Sequence, residues 1–184
     1  MTYLNNYGHE DRHYHNYTHI GRMLELLKDI YSDRLNATDK KILTAAITYH
    51  DCIYEVGSSN NERLSAIALQ EERSKAFYPE DMIEAMRLVL LTIHHTTSVH
   101  DTLGSIIIDL DLAGLGTDEY WSNKDKIRKE YASATDEQWL AGRAAFLTNF
   151  LSRDRIYYTE YGQENWEQKA RENMNEELRQ LTGE

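Results

Sequence analysis

The chain has 184 residues, with 20 lysines and arginines against 31 aspartates and glutamates, and therefore a formal net charge of -11. This length suits one domain with a sizeable core. The negative charge argues against a general nucleic-acid binder or a protein that binds anionic membranes, because both need a positive field. The single cysteine, Cys52, excludes an internal disulfide framework. With no apolar run of about 20 residues and no signal-peptide pattern, we expect a cytoplasmic protein with no membrane partner.

One proline and nine glycines leave few breaks in the chain, which favours long helices over many short strands. Apolar residues recur at helical spacing, beginning with Ile20, Met23, Leu24 and Leu27. The segment 106–115 contains three consecutive isoleucines that suit a strand, but its apolar continuation and helical surroundings favour a helix. The spacing predicts eight helical segments, at residues 20–31, 38–54, 60–69, 82–94, 106–115, 118–131, 136–151 and 164–181.

The interpretation is an all-α fold, a single domain over residues 1–184 built as a bundle of about seven or eight helices. Its core is expected within about residues 12–160. The last segment, 161–184, is strongly charged with sparse apolar positions, and we expect it to form a solvated helix packed on that core. A helix that binds a partner is the alternative.

All eight histidines lie in the first 100 residues, and the most informative is the pair His50-Asp51, inside an otherwise apolar helix. Imidazole and carboxylate side chains together suit zinc, manganese, iron or cobalt, and magnesium when more oxygens and water take part. His15 and His19 lie four residues apart at a predicted helix start, so they can face one volume.

Two further clusters lie on predicted helices. His94 and His95 end an apolar helix, and Asp109 and Asp111 lie within the apolar segment 106–115. Burying a lone carboxylate there costs several kcal/mol, so each aspartate needs a cation, a set of hydrogen-bond donors or a proton. Each cluster alone is more often structural, but four such clusters on four predicted helices indicate a metal site.

The order His19, His50-Asp51, Asp111 resembles the signature of the HD superfamily, which comprises all-α metal-dependent phosphohydrolases. The string Tyr14-His15-Asn16-x-x-His19 is similar to the start of the cyclic-nucleotide phosphodiesterase motif, in which the second histidine binds metal and the first protonates the leaving oxygen. The runs 109–116 and 61–66 resemble segments of small bacterial and phage HD proteins.

The resemblance implies a ligand set, residue by residue. Asp109 is the alternative for the last ligand, because the Asp-x-Asp spacing lets either carboxylate serve. His94 and His95 are candidates for additional ligands, although the histidine that two-metal members carry between residues 52 and 93 is absent. The implied ligands of the first metal ion are His19, His50, Asp51 and Asp111.

Candidate catalytic groups follow from the same motifs. Asp51 is placed to orient a water molecule, and His15 or Glu62 to supply or accept a proton. A phosphate group needs cationic partners, and an aromatic face suits a nucleobase. The candidate substrate-binding residues are Arg12, Arg63 and Tyr14.

The leading hypothesis is a metal-dependent phosphohydrolase that acts on a small phosphorylated molecule, with a nucleotide as the first candidate. The cofactor would be one or two divalent ions of manganese, cobalt, zinc, iron or magnesium. The alternatives are an HD-type di-iron oxygenase and a non-catalytic HD module that binds a nucleotide or a partner protein. The charge argues against an extended nucleic-acid substrate, and the resemblance suggests a homo-oligomer.

Overall fold

The computed structural model describes residues 2–183 and is all-α over that range. Within it the α-helices are α1 (Tyr17–Leu26), α2 (Ala37–Tyr49), α3 (Asn61–Arg73), α4 (Pro79–Leu91), α5 (Thr102–Leu112), α6 (Tyr120–Glu130), α7 (Asp136–Leu151), α8 (Glu160–Gly162) and α9 (Gln168–Thr182). Short 3₁₀ helices occupy Tyr3–Gly8, Ser74–Ala76 and Ala113–Gly116, and π-helical turns occupy Leu27–Tyr31 and Gln163–Glu167.

Local chemistry explains where several helices begin. The side chain of Asn16 accepts a hydrogen bond from the main-chain N–H of Thr18 and caps α1. Pro79 occupies the first turn of α4, as expected for a residue without an N–H. Asp101 caps α5 by accepting from the N–H of Gly104. These caps fix the ends of helices that carry the candidate metal ligands.

The core is shared by both halves of the chain. Helix α4 packs against α2 and α3, and α9 packs against α7. Burial of these apolar side chains is the main favourable term in folding. The large side chains that are fully enclosed include Leu43, Ile47, Leu69, Leu88, Ile107, Ile108, Leu147 and Met174.

The all-α fold class predicted from the sequence is confirmed. Two segments show where the predicted helices agree with the structure and where they differ. The ambiguous segment 106–115 is helical, since α5 covers most of it. The prediction for 38–54 extends too far, because α2 ends at Tyr49 and the pair His50-Asp51 forms the turn that follows. The charged segment near the C-terminus buries one face, including Ala170, Met174 and Glu177.

No helix in the described part of the chain is both long enough and apolar enough to cross a membrane.

Candidate metal centre

Three predicted ligands meet at one point inside the bundle. His19 comes from α1, His50 from the turn after α2 and Asp111 from the last turn of α5. One donor atom from each lies within 4.8 Å of the other two. Nε2 of His19 is 3.4 Å from Nε2 of His50 and 3.1 Å from Oδ1 of Asp111. The structure therefore joins helices that are far apart in the sequence into one cluster of nitrogen and oxygen donors.

The backbone sets the orientation of the His50 ring. Its Nδ1 lies 2.9 Å from the carbonyl oxygen of Ile47, one turn back along the chain. Donation of the Nδ1 proton to that carbonyl leaves Nε2 facing His19 and Asp111. A backbone acceptor on the distal ring nitrogen is the usual support for a metal-binding histidine.

Asp51 lies beside this group, in the same turn as His50. Its Oδ2 lies 3.0 Å from Nε2 of His50 and 4.0 Å from Nε2 of His19. Burial by itself would lower the pKa of His50, but the carboxylates of Asp51 and Asp111 outweigh it and raise that pKa well above its usual value. The two carboxylates thus favour a positive charge at this point of the bundle.

The donor set fits a divalent transition metal. Ligand atoms bonded to one ion at about 2.1 Å lie about 3.0–3.4 Å apart, and several donor pairs here have that spacing, including His19 to Asp111 at 3.1 Å and His50 to Asp51 at 3.0 Å. Two imidazoles beside two carboxylates favour manganese, iron, cobalt or zinc over magnesium. His19, His50 and Asp111 are the residues that would hold the ion, and Asp51 lies beside them.

His95 contacts the other oxygen of Asp111. Its Nε2 lies 2.9 Å from Asp111 Oδ2, and its backbone has the left-handed φ of 49°, which is uncommon outside glycine. Arg153 supports this turn by donating hydrogen bonds to the carbonyls of His94 and His95. The side chain of His94 is exposed to solvent. Of the two predicted additional histidines, the structure brings only His95 to the cluster.

The structure places Asp109 away from the cluster; its role as an alternative ligand stays a prediction, and its contacts favour a structural role. Its side chain is 0% exposed and accepts hydrogen bonds from the N–H groups of Tyr158 and Thr159 and from the Thr159 hydroxyl. Burial raises the pKa of Asp109 to about 6, against the lowering effect of these donors. Asp109 therefore anchors the segment before α8, and Asp111 is the carboxylate that faces the histidines.

His15 forms a dyad with Glu130, at the end of α6. Nδ1 of His15 lies 2.6 Å from Oε2 of Glu130, and the other carboxylate oxygen accepts from the main-chain N–H groups of Tyr14 and His15. Tyr54 stacks on the His15 ring, with centroids 4.2 Å apart. Burial lowers the pKa of His15, but the Glu130 hydrogen bond and nearby carboxylates produce a net rise. Glu130 and Tyr54 thus fix the orientation of the His15 imidazole.

A cavity of about 360 Å³ opens beside the cluster. Its polar lining includes His15, Asp51, Glu62, His95 and Asp111. Asn61 and Ser65, on either side of Glu62, hydrogen-bond to the main chain of Glu55 and Ile53 and so fix the start of α3. Such a volume is in the range of small-molecule sites. Its apolar and aromatic lining includes Leu115, Ile127, Tyr131, Trp139 and Phe146.

The predicted substrate-binding residues have different surroundings. Tyr14 lines the cavity and lies beside His19, with ring centroids 5.0 Å apart. Arg12 is buried and donates hydrogen bonds to the carbonyls of His15, Asp51 and Cys52. Arg63 is exposed and contacts the main chain one turn earlier in the sequence. Substrate binding by Arg12 and Arg63 stays a prediction, and their contacts favour a structural role.

Two residues of this region were not singled out from the sequence. Glu130 contacts His15 across 115 positions of the chain, and Arg143 enters the cavity from α7. Both lie on helices with ordinary mixtures of charged residues, so no local pattern separates them from surface charges.

Comparison of the chain with known protein families, with curated proteins and with solved structures gave no match.

Proposed function

We propose that the protein is a metal-dependent phosphohydrolase of the HD type that acts on a small phosphorylated molecule. The observation that carries the proposal is the convergence of His19, His50 and Asp111, whose donor atoms lie within 4.8 Å of one another beside an open cavity. The order of these residues, with Asp51 next to His50, is the order on which the resemblance to the HD superfamily rests.

When bound, a divalent ion neutralises charge on a phosphate group and lowers the pKa of water. The chain's own contribution is proton transfer and positioning. Glu130 engages Nδ1 of His15 and raises the pKa of the ring, which leaves Nε2 as the ring nitrogen that can transfer a proton to a leaving oxygen. Glu62 lines the same cavity and offers a carboxylate that can accept a proton.

The lining of the cavity supports a substrate with an organic part. It combines the candidate ligands Asp51 and Asp111 with aromatic residues such as Tyr131 and Trp139. A nucleotide combines a phosphate with a planar base, and both parts find matching surroundings there.

The test is elemental analysis of the purified protein, followed by hydrolysis assays with a panel of nucleotides and other phosphate esters in manganese, cobalt or magnesium. We expect bound transition metal and activity in the wild type, and loss of both in Asp51→Ala. Asp125→Ala, which removes an exposed carboxylate on α6, is the matched control. Unchanged metal content and activity in Asp51→Ala would refute the proposal, and specific nucleotide binding without turnover would favour a non-catalytic module.

A di-iron oxygenase is the second candidate, favoured by the contact of His95 with the second oxygen of Asp111. This function requires two bound iron ions per chain. A stoichiometry of two irons with oxygen consumption would support it, whereas a colourless protein activated by manganese would exclude it.

A further inference from the structure

Arg143 has a fixed orientation, and the proton transfer proposed above gives it no role. From α7, its Nε and Nη2 donate to the two carboxylate oxygens of Glu177 on α9, at 2.9 Å each. The hydroxyl of Tyr120 on α6 also donates to Glu177 and accepts from Arg143. Three helices thus fix this guanidinium, and its side chain is 7% exposed. A bidentate pair of this kind fixes the plane of the guanidinium as well as its position.

The third nitrogen of the same group is free to act as a donor. Among the described residues, none accepts a hydrogen bond from Nη1, and Arg143 lines the cavity that holds Asp51, Asp111 and His15. Nη1 is also not among the fully enclosed polar atoms that lack a partner. The cavity therefore contains a positive group with two fixed nitrogens and one that is available to a ligand.

The other arginines near the centre are already engaged. Arg12 and Arg153 donate to main-chain carbonyls, and Arg128 pairs with Asp136 at 2.7 Å. Of the described residues that line this cavity, Arg143 is the sole lysine or arginine. Arg22 and Lys126 line a neighbouring cavity of about 240 Å³, which also reaches His19 and Asp111.

We propose that Arg143 binds an oxygen of the substrate's phosphate group through Nη1 and thereby positions a phosphate monoester whose organic part lies against the aromatic side chains that line the cavity. This inference rests on the proposed function, since it takes the cavity as the substrate site. Glu177 and Tyr120 act through Arg143 by holding its orientation. A fixed guanidinium loses little conformational entropy on binding, so one charge-assisted hydrogen bond gives substantial affinity.

The test is calorimetric titration of the manganese-loaded protein with phenyl phosphate. We expect Arg143→Met to weaken binding by about 10- to 100-fold. Because Arg143→Met leaves Glu177 buried without its cationic partner, the double variant Arg143→Met/Glu177→Met is measured as well. Apolar replacement of both members of a buried ion pair is tolerated far better than loss of one. Arg179→Met removes an exposed arginine of α9 that pairs with Glu176 and does not line the cavity, and it should bind as the wild type does.

Titration with phenol separates charge recognition from the shape of the cavity. Phenol lacks the phosphate, so its weak binding should be the same in the wild type and in the double variant. Wild-type affinity for phenyl phosphate in the double variant would overturn the inference, as would loss of binding in Arg22→Met instead, or no binding by the wild type. If binding depends on Arg143 but no phosphate ester is hydrolysed, the inference holds and the proposed hydrolase function fails. If hydrolysis is found and KM is unchanged in the double variant, the inference alone fails.

Discussion

Asp109 and Asp111 show how two residues of one type acquire opposite roles. Residues two apart on a helix project about 200° from each other, so the two carboxylates leave α5 on opposite sides. Asp111 meets the three histidines, and Asp109 meets the segment before α8. The spacing alone shows that at most one of them faces the cluster, but only the packing of α5 decides which.

This pair gives the sharpest test of the metal centre. Asp111→Asn should reduce metal affinity by about 10- to 100-fold, the usual scale for perturbed metal sites. Asp109→Asn should bind metal normally but lose about 1–3 kcal/mol of unfolding free energy, because an amide N–H₂ would face one of its present donors. Metal titration and urea denaturation of both variants measure the two effects. The assignment fails if Asp109→Asn is the variant that loses metal.

The dyad of His15 and Glu130 predicts a specific response to pH. Glu130→Gln removes the nearest negative charge, so the pKa of His15 should fall. Since the pKa of His15 is raised in the folded state, the pair stabilises the protein fully below the unfolded-state pKa of about 6.5 and loses that contribution as the pH rises through the folded value. Glu130→Gln should therefore cost more stability at pH 6 than at pH 9.

The measurement is an NMR titration of the His15 ring, assigned by comparison with His15→Gln. If His15 donates a proton in catalysis, the alkaline limb of the activity profile should also move to lower pH in Glu130→Gln. An unchanged His15 titration would show that Glu130 does not control the proton.

At the scale of the element, α5 depends on its N-terminal cap. Asp101 accepts from the Gly104 N–H at 3.0 Å and from Arg87 and Thr97 at 2.7 Å. Asp101→Ala should lower the free energy of unfolding by about 1–2 kcal/mol. Asp101→Asn should lose less, because the amide oxygen can still accept from Gly104. Thermal and urea denaturation compare the two, and equal losses would contradict a capping role.

Asp101 also makes the free energy of unfolding sensitive to acid. Burial raises the pKa of Asp101, but hydrogen bonds from Arg87, Thr97 and Gly104 outweigh it and lower the value from 3.8 to about 2. A lowered pKa stabilises the fold above the unfolded value and is lost as the pH falls through the folded one. The stability difference between the wild type and Asp101→Asn should thus shrink from pH 6 to pH 2.5.

Helical periodicity predicted most of the elements because long amphipathic segments repeat the same signal over many residues. The same periodicity is a poor guide to the residue at which a helix ends. The helix containing His50 was extended to residue 54, whereas α2 stops at Tyr49, where the His50 and Asp51 side chains turn towards the cluster. Apolar spacing does not record a turn imposed by such polar contacts.

The site was predictable in part for a related physical reason. His19, His50, Asp51 and Asp111 stand out because polar, ligating residues interrupt apolar helices. Glu130 and Arg143 acquire their roles through contacts that span 115 and 34 residues, to His15 and Glu177 respectively. Those contacts follow from how the helices pack, and packing has no local signature in the chain.

For the whole molecule, the close approach of Gly116 to Trp166 joins the turn after α5 to the turn before α9. A Cβ atom at Gly116 would lie 2.6 Å from the main-chain oxygen of Trp166. Gly116→Ala must therefore push the two turns apart, and we expect a loss of about 2 kcal/mol or more in unfolding free energy. A Cβ at Gly21, inside α1, would have no neighbour within 4 Å, so Gly21→Ala should raise stability by up to about 1 kcal/mol. Thermal unfolding of the two variants checks the contrast, and equal effects would contradict it.

The contacts of Arg12 affect how the candidate metal centre tolerates side-chain replacement. Its guanidinium ties the loop of His15 to the turn of Asp51 and Cys52 through main-chain carbonyls alone. Every amino acid supplies such a carbonyl, so replacing the side chain at any of these three positions leaves the link intact. Selection or directed evolution can therefore alter the reactive groups of this centre one at a time, while the backbone that holds them keeps its geometry.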